Sequence, residues 1–304
     1  DGATVRLDAK GALHVASSIT EQGQGTNTIL AQIAAGTFGV AMERVKVTTG
    51  DTATVPYGGG TWASRGAGIG GEAVLLASQA LKEQVLDVAG VILQADAGEL
   101  DIRDGSVVDR TSGTERISLP DLGATIYYRG NELPGDVQPE LIASRHFRVS
   151  DFPFVFTNGA MAAEIELDVD TGLVSVVNFW AVEDCGRVIN PKLVDEQIRG
   201  GVVQGIGGAL YEECIYSDDG QLLNASMADY LVPMAAEMPD IIVAHVETPT
   251  KTSQLGAKGA GEAGTGGAPA AILNAVNDAL QPFGAEIFEM PMTPERILKA
   301  MGTV

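Results

Sequence analysis

Two stretches decide the fold: VRLDAKGALHV at residues 5–15 and IELDVDTGLVSV at residues 165–176. Each alternates apolar and polar residues, breaks at an Asp-to-Gly turn, and resumes the alternation. That pattern is an antiparallel hairpin. The elements downstream of each hairpin are repeated too. After the first hairpin come Gly23-Gln24-Gly25, a helical run from Thr28 to Thr37 and a strand from Arg44 to Thr48. A Gly-rich loop from Gly58 to Gly71 then feeds a long helix, with Val74, Ala77, Leu81, Val85, Val88 and Ile92 on one face. After the second hairpin come Gly186, a helix from Pro191 to Tyr211 and a strand from Ile241 to Val246. A third Gly-rich loop from Gly256 to Gly267 leads to helices at Ala268–Leu280 and Pro294–Met301. Residues 98 to 140 read as a connecting region with short strands. The expectation is an α+β fold of two-layer α/β subdomains with mixed sheets, built as two related copies, with domains at 1–140 and 141–304.

Composition bounds the function. The chain has 19 Lys+Arg against 40 Asp+Glu, a formal net charge of −21. Nucleic acid and anionic membrane both need clustered positive charge, so neither is an expected partner. No apolar run reaches the roughly 18 residues of a membrane span. Two cysteines, Cys185 and Cys214, make neither a zinc site nor a disulfide framework and fit a reducing compartment, so a cytoplasmic location is expected. The chain begins Asp1-Gly2-Ala3 without Met and reads as a piece of a longer protein, with room for a targeting segment upstream.

Glycine is the unusual component, at 38 residues in 304. That is nearly twice the average usage of roughly 7%. The glycines concentrate in three loops, and each loop precedes a helix. A helix start has unpaired N–H groups and a positive partial charge, and a Gly-rich approach lets a ligand come close. One extended anionic ligand would suit all three, and plain turn chemistry or close packing is the competing explanation. Neither a P-loop nor a dinucleotide fingerprint is present.

Two further features stand out. Gln197, Gly201, Gln204 and Gly208 share one helix face, while Ile198, Val202, Ile206 and Leu210 form the opposite, core-like side. The carboxamide face suits either a flat heterocycle or tight helix packing through glycine. Glu262 sits among small residues, where a substrate has access. If desolvated it would suit general-base work; otherwise it is an ordinary acid at a helix start. His14 and His245 fall in strand patterns and read as structural, and no nucleophile elbow is present.

Taken together, TEQGQGT (20–26), VPYGGGTWASRGAGIGGEAV (55–74), EDCGRVINPKLVDEQIRGGVVQGIGGALYEE (183–213) and LGAKGAGEAGTGGAPAAILNAVNDAL (255–280) resemble the molybdenum hydroxylases. The resemblance covers nearly the whole chain, as the C-terminal part of the molybdopterin-binding subunit. It implies that Gly23, Gln24 and Gly25 contact the pterin near the metal. It implies that Ala63, Ser64, Arg65 and Gly66 hold the dinucleotide phosphates. Gly66 and Ala67 stand where the xanthine dehydrogenase pattern has Ser and Thr, which leaves that contact to backbone amides. Asp184, Cys185, Asn190 and Gln197 would line the dinucleotide end, and Gln204, Lys258 and Gly259 would face the cofactor. Glu262 would be the catalytic base beside molybdenum, which the pterin holds without protein ligands.

The implied reaction adds water-derived oxygen to an aldehyde or N-heterocycle. The implied cofactor is molybdenum–molybdopterin in its cytosine dinucleotide form. Electrons would pass to iron–sulfur clusters and FAD on other domains or subunits, because this chain has no cysteine pattern for a cluster and no flavin motif. Implied partners are those carriers, a small-molecule substrate and an upstream half of the same subunit, so the isolated chain is expected to be inactive. A non-catalytic cofactor-binding or assembly module of the same fold is the alternative.

Overall fold

A computed structural model describes residues 1–55, 57–134, 137, 141–149 and 156–304. The chain divides into two compact units, Asp1–Val155 with Pro249–Ala257, and Phe156–Thr248 with Lys258–Val304.

In the first unit, β1 (Gly2–Leu7) and β2 (Leu13–Ser17) form the expected hairpin, with Val5 opposite Val15 and Leu7 opposite Leu13. The alternation sends Ala3, Val5, Leu7, Leu13 and Val15 to one face, where all are buried. Helix α1 (Thr26–Phe38) follows, then β3 (Val45–Thr49), which pairs parallel with β2. Helix α2 (Glu72–Leu93) comes next. Its expected stripe is buried at Val74, Ala77, Leu81 and Val85 and half-buried at Val88 and Ile92, near its end. Leu30, Ile33 and Phe38 of α1 are also part of the buried core.

Residues 98–134 do more than connect. Strands β4 (Leu100–Arg103), β5 (Ser106–Asp109) and β6 (Glu115–Ser118) form their own antiparallel sheet. Helix α3 (Leu119–Tyr128) starts at Ser118, whose side chain accepts the Asp121 N–H. Gly39 allows the approach of this sheet. Its φ is 92°, and a Cβ there would meet the Ile102 carbonyl oxygen at 2.2 Å. Strand β7 (Ile142–His146) then pairs antiparallel with β1, giving the order β3-β2-β1-β7. The first unit thus runs past residue 140; Glu140 itself lies outside the described residues.

The second unit repeats the plan. Strands β8 (Asn158–Leu167) and β9 (Val174–Asp184) form the hairpin, helix α4 (Pro191–Leu210) follows, and β10 (Ile241–His245) pairs parallel with β9. Helix α5 (Ala263–Leu280) and helix α6 (Pro294–Met301) complete it. Phe179, Ile198, Val202, Ile206, Ile272 and Val276 form its buried core. The likeness between the hairpins therefore extends to topology: hairpin, helix, strand parallel to the second hairpin strand, helix. In each unit the last helix of this series packs on the first hairpin strand, α2 on β1 and α5 on β8.

This plan positions the loops. β2 and β3 are parallel, so the loops leaving them for α1 and α2 emerge at one end of the sheet. The same holds for β9 and β10 with α4 and α5. Loops at the carboxyl ends of adjacent parallel strands are where open α/β sheets bind ligands.

Candidate functional site

In the first unit the two loops are laced together. Thr20 N–H donates to Thr61 Oγ1 at 3.0 Å, Thr61 N–H donates to Thr20 Oγ1 at 3.1 Å, and Thr61 Oγ1 donates to the Thr20 carbonyl at 2.7 Å. Gly23 and Gly25 have φ of 98° and 82°, a left-handed geometry that only glycine adopts cheaply. The amides of this turn are partly engaged. Glu21 Oε1 accepts from Gly23 and Gly25 N–H, and Oε2 accepts from Asn27 N–H at 2.8 Å. Burial opposes ionisation of Glu21, but these amides outweigh it and lower its pKa. Gln24 is also engaged, donating Nε2 to the Thr20 carbonyl and accepting the Gln22 N–H. The first Gly loop thus carries its own anion, a role for Glu21 that the sequence reading missed.

The second loop is open and strained. Ala63 and Ser64 have φ of 50° and 53°, two consecutive non-glycine residues in the left-handed region. Such conformations cost of order 1 kcal/mol each and cluster at ligand sites. Arg65 lies 4.8 Å from the Trp62 ring centroid and pairs with Asp1 at 2.6 Å. Residues Gly66–Gly71, expected as loop, form a wide helical turn that runs straight into α2. Ile69 and Gly70 N–H bond back to the Arg65 carbonyl, so the first amides of the turn, at 66–68, precede its ladder.

In the second unit, Asp184, Cys185 and Lys258 come together. Lys258 Nζ meets Asp184 Oδ2 at 3.2 Å with both side chains nearly buried, and Lys258 N–H donates to the Cys185 carbonyl at 2.7 Å. Burial disfavours the Asp184 carboxylate. The Thr248 hydroxyl and N–H, the Gly186 N–H and Lys258 together outweigh it and hold the carboxyl well below the usual range. Burial pushes the Cys185 thiol up. Asn190 caps α4, accepting the Leu193 N–H at 3.2 Å.

The carboxamide face of α4 is turned to α5. Gln197 Nε2 donates to the Gly261 carbonyl at 3.1 Å, and Thr265 Oγ1 bonds Gln204 Oε1 at 2.9 Å and the Gly201 carbonyl at 3.0 Å. A Cβ on Gly264 would lie 2.5 Å from Val202 N, and one on Gly205 would lie 2.8 Å from the Ala268 Cβ. Tight helix packing through glycine is therefore the observed use of this face. The last glycines of the third expected loop belong to α5, which begins at Ala263 rather than Ala268. Glu262 is the residue just before α5 and is exposed. Gly259 lies between the Lys258 and Gly261 anchors. Asp184, Cys185, Lys258, Gln197 and Gln204 thus brace the Glu262 loop, at residues 258, 261 and 265.

Glu183 was also missed. It is 2% exposed with Oε2 unpartnered, and burial raises its pKa to about 7 against the pull of His245. His245, its register partner on β10, bonds Asp195 of α4. His14 bonds Asp8 at 2.8 Å.

Residues 1–239 match the molybdopterin cofactor-binding domain family. The large subunit of nicotine 6-hydroxylase from Paenarthrobacter nicotinovorans is 40% identical over 99% of this chain and 36% of its own. The crystal structure of quinoline 2-oxidoreductase from Pseudomonas putida 86 superposes with a TM-score of 0.90 at 40% identity, over 99% of this chain and 38% of that one. Reconstituted CO dehydrogenase from Oligotropha carboxidovorans superposes with a TM-score of 0.87 at 29% identity, over 99% and 37%. The chain spans little more than a third of the length of these relatives. Through the family match and the Gly-bearing turns it covers, the chain belongs to the molybdenum hydroxylases, as part of their molybdopterin-binding subunit.

Proposed function

We propose that this chain holds the cytosine dinucleotide form of a molybdenum–molybdopterin cofactor, and that Glu262 is the base when water-derived oxygen is added to an N-heteroaromatic ring. The observation that carries this reading is the paired loop ends: each unit delivers two loops at the carboxyl ends of adjacent parallel strands, and the last ends at Glu262. The donor set fits such a group. Nothing lies within 4 Å of a Cβ built at Gly23, which leaves that turn approachable. The strained Ala63–Ser64 pair and the amides at 66–68 suit phosphate oxygens.

When bound, the cofactor supplies two-electron redox chemistry, with iron–sulfur clusters and FAD elsewhere in the complex carrying electrons onward. The chain's share is holding and proton transfer. Gln197 holds the Gly261 carbonyl and the Lys258–Asp184 pair holds residue 258, so the backbone on which Glu262 stands is anchored on both sides of Gly259 and Ala260. The names of the two relatives at 40% identity, a nicotine hydroxylase and a quinoline oxidoreductase, support the ring class.

The test uses the enzyme assembled with its other domains and subunits. Molybdenum and a cytidine nucleotide should be recovered from it. Glu262→Gln should retain molybdenum and lose about 10²-fold or more in turnover of a pyridine- or quinoline-type ring. Full turnover by that variant ends the reading of Glu262, and an assembled complex without molybdenum favours a non-catalytic module.

A further inference from the structure

We propose that Glu72 is a positioning residue for the Glu262 loop, an inference that rests on Glu262 being the base. Glu72 is the first residue of α2, directly after the Gly66–Gly71 turn, and is 1% exposed. Its Oε1 accepts the Gln254 N–H at 2.8 Å and its Oε2 accepts the Leu255 N–H at 2.9 Å. Consecutive N–H groups of an extended chain point in opposite directions. They converge on one anion only where the backbone is bent, so the carboxylate fixes a local shape as well as a place.

Two side-chain contacts hold the same spot. Gln79, two turns further along α2, donates Nε2 to Gln254 Oε1 at 2.9 Å. Leu255 Cδ1 lies 3.2 Å from where a Cβ on Gly71 would be, so Leu255 is seated on that glycine. The bend continues into Gly256, at φ 70°, whose N–H donates to Ser253 Oγ and whose carbonyl accepts the Thr250 N–H. From there the chain passes through buried Ala257 to the Lys258 anchor.

Glu72 thus secures the start of a loop whose middle and end are braced by Lys258 and Gln197. It also ties residues 254 and 255 to the end of the Gly66–Gly71 turn. A glutamate in the first turn of α2 is unremarkable as a sequence feature; only the partners 182 and 183 residues away give it this role.

The experiment compares Glu72→Gln, Glu72→Asp and Glu262→Gln in the assembled holoenzyme, reading amide hydrogen exchange, molybdenum content and steady-state kinetics. Glu72→Gln keeps one acceptor and turns an amide NH2 toward the other N–H. Exchange at residues 254–262 should speed up about tenfold or more. With molybdenum content unchanged, kcat should fall about tenfold or more while KM stays within about threefold. Glu72→Asp, which keeps the charge on a shorter arm, should show the same changes at smaller amplitude, and it carries the test if Glu72→Gln does not assemble. Unchanged exchange, or faster exchange with unchanged kcat, overturns the proposal. Full turnover in Glu262→Gln would instead remove the base assignment, and the exchange data would then decide the clamp alone.

Discussion

Gly264 and Gly266 lie two residues apart on α5, yet Ala should act oppositely at the two positions. A Cβ at Gly264 would sit 2.5 Å from Val202 N, 2.6 Å from Ile198 O and 2.7 Å from Gly201 C, all backbone atoms of α4. Backbone cannot rotate away, so α4 and α5 must part by about 0.9 Å to move from 2.5 Å to an ordinary 3.4 Å contact. Overpacking of this kind costs about 1–3 kcal/mol, and the gain in helix propensity from Gly to Ala returns only about 0.5–1 kcal/mol. Gly264→Ala should therefore lose about 1–2 kcal/mol. At Gly266 nothing lies within 4 Å, so Gly266→Ala should keep the propensity gain. The assay is urea unfolding followed by Trp180 fluorescence in a Trp62→Phe background, since the chain has 2 Trp and Trp180 is on β9 of the same unit. With a slope of about 2 kcal/mol per molar, the two midpoints should differ by about 1 M. Equal midpoints, or a higher midpoint for Gly264→Ala, would refute the packing argument.

Asp184→Asn keeps acceptors for Thr248 and Gly186 but leaves Lys258 without its anion, which should cost about 3 kcal/mol at neutral pH. The depressed folded-state pKa contributes stability above an unfolded value of about 3.9, and this is lost as pH falls below it; the variant's acid limb should be flatter, and a parallel limb in a pH series of unfolding would contradict this. Glu183 has the opposite sign: its pKa is raised to about 7, so between about pH 4 and 7 the unfolded chain ionises first and stability drains away as pH rises. Glu183→Gln should gain Tm on the wild type from pH 5 to pH 8, and a constant difference would count against a protonated, buried Glu183. Ala63→Gly relieves a left-handed φ of 50° and should stabilise by roughly 0.5 kcal/mol where the same change in a helix costs about 1 kcal/mol; loss of stability in denaturant titration would contradict the strain.

The hairpins were legible because period-two alternation and Asp-to-Gly turns are local signals. The duplicated order of elements came from the same signals. Short strands were legible between residues 98 and 140, but their pairing into a separate sheet at 100–118 was not, because four residues are too few to show which face alternates inward. The small-residue face of α4 was visible as a pattern, but its partner was not. Gly264 is 63 residues from Gly201, and only the folded chain sets one glycine against the other. Glu21 and Glu72 escaped for a related reason. An acid near a helix start is common, and neither sequence position says which amides it will receive.

The chain crosses between its two units three times, at 155/156, 248/249 and 257/258. A single proteolytic nick therefore releases neither unit as an intact, separate piece. Cutting at 155 leaves the strap at 249–257 still joining them, and cutting within that strap leaves the first crossing. The duplicated copies are linked as a sewn seam rather than as beads on a string, and a genetic split of the chain would have to give up or relocate nine residues that belong to the first unit but are encoded within the second.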